Sequence, residues 1–248
     1  MPSALSRDQV EKFQATGYLP YHKLLTDDEI SQLRVECDRA FEDGWRSGDL
    51  RILSTNSCDI KAQLDAPEQV WQIIQLSERS CHFLKLLYDT RFLDVVQDLI
   101  GPNIMLFHDQ ALYKPPNSGG EVFGHQDNGY WLAKPANLVS CWLTLDDVSV
   151  ESGAMQFLPG SHFAELNHQR PDILLQAEVS NVSDTVILEI GAAECLFHHC
   201  LAPHRTAPNT SERDRRAIAI HYMQPGTRRE NGDGIAVSFE SPLVRMAV

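Results

Sequence analysis

The sequence predicts a mainly β fold with flanking helices: a β-sandwich with helices packed on one side, the double-sheet jelly-roll arrangement that can hold a metal between its sheets. Three observations carry this. Residues 1 to about 100 place apolar side chains at helical spacing, the period shortens to strand-like runs from residue 103, and Gly, Pro and Asn turns punctuate those runs. A chain of 248 residues suits one large domain with a proper core. We read 1–248 as that single domain, with a helical front section (about 1–100) and a jelly-roll core (about 101–240). No internal repeat, low-complexity segment or linker divides it.

The front section comes first. Ser6 with Gln9, and Thr26 with Glu29, match the capping-box spacing, a hydroxyl followed three residues later by an amide or acid, and mark two helix starts. After Thr26, the residues Ile30, Leu33, Cys37, Ala40 and Phe41 form one apolar stripe. Gly17-Tyr18-Leu19-Pro20 separates the two helices as a short extended piece. Residues 46–66 are polar and aperiodic, a loop. Helical patterns return at 68–76, 79–87 and 91–100, the last stopped by Gly101-Pro102. Strands are expected at 104–113, 138–145, 154–158, 185–190, 194–199 and 216–223. Pro115-Pro116 and the turn residues 117–120 close the first of them.

Composition removes several function classes. No apolar run approaches the roughly 20 residues that span a bilayer. The first six residues lack the basic-then-apolar pattern of a secretory signal. A formal net charge of -13 disfavours nucleic acid or an anionic membrane as partner, and leaves room for a small substrate at a locally basic site. The six cysteines are scattered, with no Cys-x-x-Cys pair. That argues against a disulfide framework or a cysteine zinc site and for a reducing compartment, the cytoplasm.

Two stretches carry chemistry. The first is Gly124-His125-Gln126-Asp127. Residues two apart in an extended strand share a face, so His125 and Asp127 would set an imidazole beside a carboxylate. A second imidazole would complete the 2-His-1-carboxylate set that holds non-haem Fe(II) with open positions. Alone, the motif reads more readily as a surface loop than as a metal site. The second stretch runs over 204–216. His204 can supply the second imidazole. Arg215, at the start of the strand 216–223, can return near the metal and clamp a dicarboxylate through parallel hydrogen bonds. The same stretch also reads as a solvated turn before an edge strand. A zinc hydrolase could use the same three donors, but it leaves Arg215 without a task. His162 reads as part of a structural turn, and His108 and His221 as strand histidines. His198 and His199 alternate, so at most one points inward. Tyr130 and Trp131 suit either a pocket wall or the core.

Residues 124–131 followed by 204–216 resemble the phytanoyl-CoA dioxygenase family of Fe(II)- and 2-oxoglutarate-dependent oxygenases, and the likeness extends through most of the chain. Residues 9–25 are similar to the family's N-terminal helix and Gly-Tyr-Leu segment. Gly101-Pro102-Asn103-Ile104 precedes the strand bearing Lys114-Pro115-Pro116. Residues 151–162 are similar to its Asn-Gly…Pro-Gly-Ser-His signature.

The resemblance implies a double-stranded β-helix, the cupin-like jelly roll. It implies that His125, Asp127 and His204 bind Fe(II) and that Arg215 binds the distal carboxylate of 2-oxoglutarate. Thr206 would add a hydroxyl to that carboxylate, and Gln110 and Trp142 match cosubstrate-contacting positions. The implied reaction consumes O2 and 2-oxoglutarate, releases succinate and CO2, and hydroxylates a small molecule, with ascorbate as reductant in vitro. The presence of Asp127 favours hydroxylation over halogenation. A non-catalytic member of the fold that keeps the metal site is the alternative. Two positions depart from the pattern. Arg205 stands where Gly is frequent, and the cosubstrate Lys that relatives carry before the main sheet has only Lys61 as a counterpart, at a spacing that does not align. Whether Lys61, Lys114 or Arg205 meets cosubstrate or substrate is left open by the sequence.

Overall fold

The computed structural model describes residues 4–53, 69–117, 119–170, 174–178, 182–230, 236–238 and 241–246. Its front section runs α1 (Arg7–Thr16), β1 (Tyr18–Tyr21), α2 (Asp27–Ser47), β2 (Arg51–Ile52), β3 (Trp71–Ile74), α3 (Cys81–Leu87) and α4 (Thr90–Ile100). Then come β4 (Ile104–Lys114), β5 (Val122–His125), the one-turn helix α5 (Asp127–Trp131), β6 (Ala133–Lys134), β7 (Val139–Thr144) and β8 (Met155–Phe157). The chain continues with β9 (His168–Gln169), β10 (Gln176–Ala177), β11 (Val186–Leu188), β12 (Cys195–His199), β13 (His204–Thr206) and β14 (Arg215–Met223). It closes with β15 (Arg228–Glu230), β16 (Ala236–Ser238) and β17 (Leu243–Arg245). No helix among the described residues is long and apolar enough to cross a membrane.

Two antiparallel sheets form the jelly roll expected from the sequence. The larger runs β1-β12-β7-β14-β4-β3-β2, with β17 added on β4, and the smaller runs β11-β8-β13-β5. Because side chains alternate along a strand, the larger sheet has two different faces. Ile218, Ile220 and Tyr222 of β14, with Cys141, Leu143, Cys195 and Phe197, enter one core with Leu33, Cys37 and Phe41 of α2 and Phe92, Val95 and Val96 of α4. The intervening residues Ala217, Ala219, Trp142 and Leu196 face the smaller sheet, where they meet Met155 and Phe157. The site lies on this second face.

Both capping boxes form. Ser6 Oγ accepts from Gln9 N at 3.3 Å while Gln9 Oε1 accepts from Ser6 N at 2.8 Å. Thr26 and Glu29 repeat the arrangement at 3.2 and 2.8 Å. The α2 stripe is buried throughout, and the Tyr18 segment is β1, paired with β12. The helix expected at 68–76 is corrected to the strand β3. It pairs with Gln110–Tyr113 of β4, and Trp71 sits edge-on to Tyr113 and Phe41. A segment rich in aromatic and β-branched residues thus follows the sheet available to it rather than its weak helical period. The loop expected at 46–66 begins only after α2 ends at Ser47 and includes β2; its residues 54–66 lie outside the described residues.

Candidate active site

β5 ends at His125, whose register partner is His204 of β13. The chain then leaves the strand. Gln126 precedes α5, and Asp127 is the first helical residue. Strand alternation is therefore not what sets the carboxylate beside the imidazole; a tight strand-to-helix turn does. Gln126 pins that turn from both ends of its amide. Its Nε2 donates to the carbonyls of Leu201 (2.7 Å) and Ala164 (2.8 Å), and its Oε1 accepts from Leu166 N (2.8 Å).

His125, Asp127 and His204 converge, each buried, with ligand atoms all within 4.8 Å of one another. His125 Nε2 lies 3.6 Å and His204 Nε2 3.8 Å from Asp127 Oδ1, too far for hydrogen bonds. The opposite ring nitrogens settle the tautomers. A carbonyl oxygen only accepts, so His125 Nδ1 donates to Phe123 O (2.7 Å) and His204 Nδ1 donates to Ala202 O (3.0 Å). Both Nε2 atoms are left facing the space beside Oδ1, with each ring held by a backbone carbonyl on its other nitrogen, as metal-binding histidines commonly are. Burial and then the His125 ring push the His204 pKa down to about 3, which keeps that imidazole neutral and basic. Burial raises the Asp127 pKa, but His204, His125 and His198 outweigh it and hold the carboxyl well below the usual range. Two imidazoles and one carboxylate fit a divalent ion of the Fe(II) kind.

The other carboxylate oxygen is already engaged. Asp127 Oδ2 accepts from Ser140 Oγ (3.0 Å) and His198 Nε2 (3.0 Å), which leaves Oδ1 as the free donor. Ser140 spends its proton there, so His221 Nδ1 donates to Ser140 Oγ (2.7 Å). His221 Nε2 then accepts from Gln110 Nε2 (3.1 Å), and Gln110 Oε1 accepts from Gln72.

Arg215 begins β14 and is 2% exposed. Its guanidinium stacks 4.7 Å over the Trp142 ring and donates from Nη2 to Gly153 O at 3.3 Å. Gly153 has φ +86, and a Cβ there would meet Ala207 O at 2.4 Å, so only glycine brings that carbonyl to the guanidinium. Arg215 Nε is buried without a partner among the described residues. Burial moves the Arg215 pKa down to about 10, so the group remains a cation with donors to spare. Thr206 and Lys114 stand beside it, with Lys114 Nζ 2.7 Å from Thr206 Oγ1. One cavity of about 610 Å³ joins this corner to the three converging residues, and Gln110, Trp142, Thr206, Lys114, Tyr130 and Trp131 line it. Arg205 borders the cavity too, but its Nε donates to Gln156 Oε1 at 2.8 Å. Lys61 lies outside the described residues. His162 packs against Gly17, away from the cavity.

Sequence reasoning passed over Ser140, read His198 and His221 as strand histidines without a role, and left Lys114 open. Alternation held the signal for the first two: Phe197 and Cys141 face the helices, so His198 and Ser140 must face the cavity. Only β12 and β7 lying side by side in the sheet, joined in register at His198 and Ser140, reveals that both reach the same carboxylate.

Comparison with known proteins agrees with this geometry. The family model for phytanoyl-CoA dioxygenase (PhyH) matches residues 13–217. The peroxisomal phytanoyl-CoA dioxygenase of Rattus norvegicus is 26% identical over 236 residues, 89% of this chain and 69% of that protein. Among solved structures, apo ThoJ, a non-heme monooxygenase, superposes with a TM-score of 0.78 at 22% identity, covering 97% of this chain and 85% of that one. The epimerase SnoN, in complex with Fe3+, alpha ketoglutarate and nogalamycin RO, gives a TM-score of 0.77 at 18% identity, covering 96% and 98%. At those identities the two structures speak for the fold alone. Family match, fold and donor set define an iron- and 2-oxoglutarate-dependent non-haem oxygenase. The chain belongs to the phytanoyl-CoA dioxygenase family.

Proposed function

We propose that the chain hydroxylates a small molecule at an Fe(II) held by His125, Asp127 and His204, with 2-oxoglutarate gripped through its distal carboxylate by Arg215. The observation that carries this is the pairing of two features in one cavity: three convergent metal-type donors and a buried guanidinium with an unpartnered Nε. Bound there, Fe(II) with 2-oxoglutarate and O2 supplies the oxidising power, and the cosubstrate leaves as succinate and CO2. The residues supply position and a controlled medium. The carbonyls of Phe123 and Ala202 aim the two imidazoles, Ser140 and His198 hold Asp127 to one donor oxygen, and Trp142 supports the guanidinium from below. Thr206 and Gln110 complete the cosubstrate wall.

The cavity is also lined by Ile52, Val70, Tyr130, Trp131 and Leu174, with Arg51 and Arg170 among its walls, a largely apolar lining suited to an organic substrate. A zinc hydrolase would leave the buried guanidinium unexplained. The thiols of Cys37, Cys81, Cys141, Cys195 and Cys200 are free, which supports a reducing compartment such as the cytoplasm, and we read 1–248 as one domain. His125→Ala or Asp127→Ala is expected to abolish 2-oxoglutarate turnover, assayed as succinate release with Fe(II) and ascorbate, while circular dichroism shows an intact fold. Succinate release at the wild-type rate by either variant would refute the reading.

A further inference from the structure

The chain carries 34 acidic residues against 21 lysines and arginines, yet its central cavity has the opposite sign. Arg51, Arg170, Arg205 and Arg215 line it, and among the described residues Asp127 is the one acid that does. Two of these arginines are already engaged. Arg215 lies in the cosubstrate corner, and Arg205 donates from Nε to Gln156 Oε1 at 2.8 Å. Arg51, on β2, and Arg170, just after β9, are exposed. Among the described residues neither side chain makes an ion pair or a hydrogen bond. Arginines elsewhere on the surface do find acids, as Arg39 does with Glu36, Arg46 with Glu42 and Arg79 with Asp49.

Both arginines act on rings beside the iron site. Burial lowers the His108 pKa, and the Arg51 charge works in the same direction. Burial raises the Tyr130 pKa, and the Arg170 charge opposes it. His108 stacks on His221 with ring centroids 5.6 Å apart, and Tyr130 stands edge-on to His125 at 5.3 Å. A guanidinium with free donors matches the two oxygens of a carboxylate, while Ile52, Val70, Trp131 and Leu174 suit an apolar body. A polyanion fits less well, because two cations offset one or two charges and the net charge of -13 repels the rest. We propose that the substrate is an organic monocarboxylate, its acid group recognised by Arg51 and Arg170 and its apolar body lying along Ile52, Val70, Trp131 and Leu174. This rests on the oxygenase reading above and names the substrate class of that same site.

The test separates the acid group from the body that carries it. Full-length protein, anaerobic and saturated with Fe(II) and 2-oxoglutarate, is titrated calorimetrically with octanoate, 4-methylpentanoate and 3-phenylpropanoate. Each acid is run beside its primary alcohol and its CoA thioester, and the saturating 2-oxoglutarate keeps the probes out of the cosubstrate corner. At least one acid is expected to bind roughly tenfold tighter than its alcohol, the scale of one charge-assisted hydrogen bond, and no thioester should bind tighter than its acid. Arg51→Met and Arg170→Met should each cut the preference for acid over alcohol by about fivefold, as for an exposed ion pair. Both should leave alcohol binding and 2-oxoglutarate affinity within about twofold. The proposal is overturned if no acid outbinds its alcohol, if a thioester binds tighter than its acid, or if both arginine variants keep the full preference. Both side chains are exposed, so the substitutions should be tolerated, and either variant decides alone should the other fail to fold. Failure of the wild-type protein to bind 2-oxoglutarate would instead overturn the oxygenase reading, and this inference with it.

Discussion

The two faces of the larger sheet are built from the same strands and do opposite work. Along β14, Ile218, Ile220 and Tyr222 turn to the helices, while Arg215, Ala219 and His221 turn to the cavity. β7 repeats the contrast, with Cys141 and Leu143 on one side and Ser140 and Trp142 on the other. The helix face holds side chains that dispersion and the hydrophobic effect can keep in place. The cavity face holds buried polar groups at fixed spacing, each tied to the next, where a lost partner leaves an unsatisfied charge or dipole. The contrast implies that stability and binding are separable by single substitutions on adjacent residues.

The largest effect is expected on the helix face. Phe197→Ala removes a 0% exposed ring and should lower unfolding stability by about 3–5 kcal/mol, measured by urea denaturation. The fraction that remains folded should bind 2-oxoglutarate as the wild type does, because Phe197 faces away from the cavity. A parallel loss of cosubstrate affinity would show that the faces are coupled. Arg215→Met is the reciprocal test. It should weaken 2-oxoglutarate binding by about 1.5–3 kcal/mol, the value of a charge-assisted hydrogen bond. The urea midpoint should not fall, since exchanging a desolvated guanidinium for an apolar chain of similar length is neutral or stabilising. An unchanged affinity would remove Arg215 from the cosubstrate site.

The helix face was the more legible in the sequence. The α2 stripe and both capping boxes rest on local spacing, and the structure contains them as read. The cavity face was legible only where chemistry is dense, at 124–127 and 204–216. There the residues read from the sequence do come together, but for a partly different reason, because Asp127 is turned into place by α5 rather than by strand alternation. β3 was misread because its strand state depends on β4, a partner 38 residues away at the Gln72–Gln110 contact, and no local period records such a pairing. The Ser140, His198 and His221 network escaped for the same reason. Its members lie on three neighbouring strands, and nothing local ties one to another until the sheet order brings them together.

The smallest effect belongs to the outer edge of the helical layer, and it tests whether that layer has electrostatics of its own. Arg91, near the start of α4, reaches Glu29 in the first turn of α2 through two bonds, Nη2 to Oε1 (2.7 Å) and Nη1 to Oε2 (3.0 Å). Hydrogen bonding from Arg91, and then from the Thr26 backbone, lowers the Glu29 pKa to about 2. The folded value lies below the unfolded one, so the stabilisation is present above the ordinary carboxylate pKa and is lost as pH falls toward about 2. The two side chains are 39% and 40% exposed, so solvent screening confines the effect to under about 1 kcal/mol. Glu29→Gln keeps the capping box, which accepts an amide at this position, and removes only the charge. The wild type should therefore exceed Glu29→Gln in urea midpoint at pH 6, and the gap should narrow at pH 3 and again at high salt. Neither condition should alter the difference in 2-oxoglutarate affinity between the two proteins, because the pair lies on the far side of the sheet from the cavity. The absence of a gap at pH 6 would mean that Glu29 acts through the cap alone and that the ion pair contributes nothing.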